Sequence, residues 1–115
     1  MARAFKVRSA ERDAQTDSER LGSISAAVEA AVASIQRERD ALRARVDAAR
    51  DQAAFATGTD YDEYLTRDAK DAATIKEYEQ QMASGEKRTQ ELERQLGGLA
   101  AIQEVFSRYF ADNVS

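Results

Sequence analysis

Apolar side chains recur at steps of three and four along two stretches of this chain. The first run is Leu21, Ile24, Val28, Ala31 or Val32, Ile35, Leu42, Val46, Ala49 and Ala53, which falls on one stripe of a helix. The second is Tyr61, Leu65, Ala69 or Ala72, Ile75, Tyr78, Met82, Gly85, Thr89, Leu92, Leu96, Leu99 and Phe106. From Ile75 to Leu99 the steps alternate between three and four, as in a coiled-coil seam. Arg39 stands where the first stripe expects an apolar residue.

The polar residues between the runs supply starts and stops. Thr16 and Glu19 stand at capping-box spacing, so a helix is predicted over 17–56. Gly58, after Phe55-Ala56-Thr57, suits the left-handed turn that closes a helix. Asp60 then caps a second helix over 60–110, with Asp62 and Glu63 where the helix dipole favours negative charge. Gly97-Gly98 lies inside that helix and costs about 2 kcal/mol of propensity, which predicts a kink or a separate last helix over 99–110. Residues 1–15 mix Arg3, Lys6, Arg8 and Arg12 with Glu11 and Asp13, and read as a basic N-terminal tail or short helix preceding a hairpin over 16–115.

With a turn at Gly58, facing residues have numbers adding to about 117. Leu21 then meets Leu96, Ile24 meets Leu92 or Glu93, Val28 meets Thr89 and Ile35 meets Met82. Leu42 meets Ile75, Val46 meets Ala72 and Ala53 meets Leu65, while Val32 faces Gly85 and Arg39 faces Tyr78. The two stripes match in this register, whereas one unbroken helix dimerising in parallel leaves the match to coincidence. The expected fold is therefore all-α: an antiparallel two-helix coiled-coil hairpin. Its seam is thin and rich in Ala, so self-association is expected, most simply as a dimer forming a four-helix bundle.

Leu99, Ile102, Val105, Phe106, Tyr109 and Phe110 cover far more than a narrow stripe. The same register places them beside residues 7–18, whose apolar members are Val7, Ala10 and Ala14. One side of the segment thus has no cover in its own hairpin, and a patch of this kind marks an interface. It is expected to be a subunit interface, with Phe5 and Val7 folding over it, or a docking surface for a different protein.

Composition narrows the chemistry. The 115 residues include no His, Cys, Pro or Trp. That excludes thiolate and imidazole metal sites, disulfides, a Cys nucleophile and a Ser–His triad. No catalytic residue, metal ligand or cofactor is expected. No run of 18 apolar residues predicts a membrane span, and the start lacks a secretory signal, so the default compartment is the cytoplasm. Asp60, Asp62 and Glu63 lack the Gly and the distant Glu of a calcium loop. Asp68, Asp71, Glu77 and Glu79 read as a solvated helix face, and Gly85-Glu86-Lys87-Arg88-Thr89 lacks the spacing of a phosphate loop. Arg37, Arg39, Arg43, Arg45 and Arg50 interleave with Glu38, Asp40, Asp47 and Asp51, which predicts surface ion pairs. A nucleic-acid partner needs a net positive face, whereas residues 59–95 carry 6 basic against 10 acidic residues, so none is expected.

Two groups of small helical hairpins offer a comparison. The chain resembles secreted proteins of the WXG type in its length and in Tyr64 followed by Asp68, a tyrosine with an acid four residues on. Its turn, Phe55-Ala56-Thr57-Gly58, has no Trp, and that pair stands near the turn instead of after the second helix. It is similar to flagellar or type III export chaperones in its seam and apolar C-terminal helix, without a motif specific to them. Either resemblance implies a secreted effector or an export chaperone; neither assigns a family. The residues themselves point to a non-catalytic scaffold, adaptor or small chaperone that binds a protein, or itself, through the C-terminal helix.

Overall fold

The computed structural model describes residues 9–56 and 69–113. Two long helices account for almost all of them: α1 (Ala10–Ala56) and α2 (Ala69–Phe110), with one 3-10 turn (Ala111–Asn113) closing α2. The fold is an all-α helical hairpin. The predicted turn at Gly58, the helix start at Asp60, and Tyr61 and Leu65 of the second stripe lie outside the described residues.

Helix α1 begins before the Thr16 signal. Ser9 is its cap: the Ser9 hydroxyl accepts from the Arg12 amide at 3.0 Å, and the Ser9 carbonyl accepts from the Asp13 amide at 3.1 Å. Glu11 and Asp13 add negative charge in the first turn. Residues 10–15 are therefore the opening of α1, and Thr16 and Glu19 sit within it. At the other end, Gly97-Gly98 lies inside α2 without breaking it. Arg108 stands in the last turn, where its charge suits the dipole.

The chain divides into two compact units, and both helices contribute to each. In the unit spanning 35–95, the α1 side of the seam is Ile35, Arg39, Leu42, Val46, Ala49 and Ala53. The α2 side is Ile75, Tyr78, Met82, Gly85, Thr89 and Leu92. Leu92 is fully shielded, and Val46, Ala49, Ala53 and Gly85 are buried. Thr89 satisfies its hydroxyl inside the seam by donating to the Gly85 carbonyl at 2.8 Å.

The register differs from the one predicted. Val46 lies against Gly85, so closely that a Cβ there would collide with Val46 Cγ2. Arg43 donates to Glu93 at 2.7 Å, and one heptad further along α1, Arg50 approaches Glu86 at 3.7 Å. Facing numbers therefore add to about 131, two heptads beyond the predicted value. Gly85 receives Val46 instead of Val32, and Arg39 is level with Leu92 instead of Tyr78. Likewise Leu42 is level with Thr89 and not with Ile75. A shift of two heptads keeps every stripe on its face, so the stripes alone do not choose between the registers. The charges do, because only this register sets Arg43 against Glu93, Arg50 against Glu86 and Glu38 against Arg88.

Candidate interaction surface

The unit described by residues 9–34 and 96–113 is built on the same seam pattern with much less burial. Leu21, Ser25, Val28, Val32, Leu96, Leu99 and Phe106 are half-buried, and among the described residues of this unit none is fully buried. Ser25 and Val28 share a groove with Ile102, Gln103 and Phe106. The C-terminal apolar segment therefore lies beside residues 21–32 and not beside 9–18, while Phe5 and Val7, the predicted cover, lie outside the described residues.

The predicted seam residue Ile24 is 48% exposed, because the alternation of steps running back from Val28 reaches Ser25 and then Leu21. Ile24 stands one position to the side. Of the six predicted interface residues, Leu99 and Phe106 turn partly into the seam, while Ile102, Val105, Tyr109 and Phe110 remain 38–70% exposed. Phe106 and Phe110 pack with ring centroids 5.2 Å apart, and Tyr109 and Phe110 with theirs 6.3 Å apart. Ala101, Ile102, Val105, Phe106 and Phe110 line a shallow groove of about 390 Å³.

At about 100° per residue, the apolar positions from Val105 to Phe110 span an arc of about 140° on α2. Leu99 and Phe106 lie toward one edge of the arc and belong to the hairpin seam, and Phe110 at that edge is still 38% exposed. Ile102, Val105 and Tyr109, at steps of three and four, form a second stripe along the other edge. Helix α1 repeats the pattern with Ile24, Ala27 and Ala31 beside Leu21, Ser25 and Val28. A helix carrying two adjacent stripes has one for its hairpin partner and one left over.

Charge separates the two units further. Residues 21–34 contain a single charge, Glu29, and residues 96–110 contain two, Glu104 and Arg108, which pair with each other at 3.2 Å. In the other unit, residues 37–53 alone carry Arg37, Glu38, Arg39, Asp40, Arg43, Arg45, Asp47, Arg50 and Asp51. Arg88 clamps Glu38 at 2.8 and 3.3 Å and also donates to Glu91 at 3.3 Å. That bond holds the Glu38 carboxyl below the usual glutamate range, and the two carboxylates hold Arg88 protonated above its own. Of the interleaved charges, Arg50 pairs with Asp47 along α1 at 3.0 Å, whereas Arg43 turns across the seam to Glu93.

Among the described residues no polar or charged side chain is buried, and no three acidic side chains converge as metal ligands. The acidic cluster Asp60, Asp62 and Glu63 and the Tyr64–Asp68 pair lie outside the described residues. No described helix is long and apolar enough to cross a membrane. Compared with protein-family models, curated proteins and solved structures, the chain matches none.

Proposed function

We propose that this chain is a non-catalytic coiled-coil interaction protein that acts by binding protein through the surface of residues 21–34 and 96–110. One observation carries the reading: a unit with no fully buried described side chain keeps Ile24, Ile102, Val105, Tyr109 and Phe110 in solvent. A soluble surface tolerates scattered apolar residues, but contiguous apolar patches mark binding sites. Aromatic and aliphatic anchors also supply most of the energy at protein interfaces. The arrangement suits a scaffold, adaptor or small chaperone, in which binding is itself the activity.

A photo-crosslinking amino acid in place of Val105 tests this in the expressing cell, with the same group in place of the exposed Lys87 as control. Protein adducts from the first position and few from the second are expected. Equal yields, or none from Val105, would overturn the reading.

A further inference from the structure

We infer that the protein bound at this surface is a second copy of the chain, the two hairpins joining flank to flank through Ile24, Ala27 and Ala31 of α1 and Ile102, Val105 and Tyr109 of α2. This rests on the binding reading above and names its partner.

Three features favour a copy over a different protein. The first is shape. The α1 stripe is small at Ala27 and Ala31, and the α2 stripe is large at Ile102, Val105 and Tyr109. Within this unit Ser25 and Val28 line one groove with Phe106 and Gln103, a register that puts Ala27 level with Val105 and Tyr109 level with Gly22. A two-fold axis running along the helices therefore sets the small stripe of each copy against the large stripe of the other. Such a contact is isologous, with each half of the interface repeating the other.

The second feature is area. Ile24, Ile102, Val105, Tyr109 and Phe110 together expose on the order of 500 Å² per chain, and a standard interface takes about 800 Å² from each partner. The exposed Ala27 and the half-buried Ala31 adjoin them and add to that area. The third is charge. The two stripes carry none, so they hold no electrostatic code for a partner of opposite sign.

The full chain should elute and scatter light at about twice 12.7 kDa at tens of micromolar. Salt should leave the dimer intact, because no ion pair holds it. Val105→Glu should reduce the mass to that of one chain while helicity by circular dichroism is retained, since Val105 is exposed and outside the hairpin seam. Lys87→Glu should remain dimeric. The chain has no cysteine of its own, so an Ala27→Cys protein mixed with a Val105→Cys protein should oxidise to a heterodimer linked through these two positions.

A chain that stays monomeric, a Val105→Glu variant that stays dimeric, or a dimer that never forms the mixed disulfide would each overturn the inference. Its failure is separable from that of the broader reading. A monomeric chain whose photo-crosslinker at Val105 captures other proteins loses the copy and keeps the binding surface. A monomeric chain that captures nothing loses both.

Discussion

At the scale of single residues, the glycines show how the same residue type serves opposite ends. Gly85 is needed for its lack of a side chain, because Val46 fills the space a Cβ would take. Val is stiff at χ1, so Val46 has little room to turn aside. Gly85→Ala should therefore lose about 1–2 kcal/mol in urea denaturation, overpacking outweighing the gain in helix propensity. Adding Val46→Ala to it should recover part of the overpacking loss, and a fully additive double variant would show that the contact is not the cause. A methyl group at Gly22 or Gly97 would meet nothing within 4 Å, so Gly22→Ala and Gly97→Ala should each stabilise by about 0.5–1 kcal/mol. The two sets differ only in what lies opposite, which a sequence does not print.

At the scale of the helices, the stripes were legible and their register was not. Ile75, Tyr78, Met82, Gly85, Thr89, Leu92, Leu96, Leu99 and Phe106 all turn toward the partner helix, as their spacing predicts. A periodic stripe repeats every heptad, so sliding one helix by two heptads leaves apolar still facing apolar. The deciding residues are those that break the repeat: one Gly large enough in absence to admit Val46, and three Arg–Glu pairs across the seam. Weighing those charges beside the stripe would have separated the registers, as would following the alternation back through Ser25 to exclude Ile24. Val46 and Gly85 test the register directly, because the Val46 Cβ lies 4.0 Å from where a Cβ at position 85 would stand, within disulfide range. Val46→Cys with Gly85→Cys should close on oxidation and, by shortening the unfolded loop, stabilise by about 2–4 kcal/mol. Val46→Cys with Ala72→Cys, the pair of the other register, should stay reduced under the same conditions. The Glu38–Arg88 pair adds a pH signature. Its carboxyl titrates lower in the folded chain than in the unfolded one, so its contribution is complete above the unfolded value and fades as the pH falls through the folded one. Between pH 6 and pH 3, the wild-type melting temperature should therefore fall further than that of Glu38→Gln, and equal falls would remove the pair from the account.

At the scale of the whole molecule, stability is unevenly supplied. The 35–95 unit holds every described side chain that is buried, and it holds the ion pairs that cross its seam. Surface pairs contribute little individually, so Leu92, Val46, Ala49 and Ala53 carry most of that unit's cohesion. The 9–34 and 96–113 unit has only half-buried seam residues, and its remaining apolar surface counts toward stability once something covers it. If a second copy is the cover, part of the stability depends on concentration, because association favours the folded state by mass action. Amide exchange separates this from a uniformly stable hairpin. At sub-micromolar concentration, amides of residues 21–34 and 99–110 should exchange faster than those of residues 42–53 and 82–92. Raising the concentration a hundredfold should slow the first set tenfold or more and leave the second set nearly unchanged. In Val105→Glu the slowing should vanish, with the 42–53 and 82–92 amides as well protected as before. Protection that rises equally in both sets would place the interface across the whole seam, and protection independent of concentration would mean that the unit holds its exposed isoleucines, valine and aromatics without a second chain.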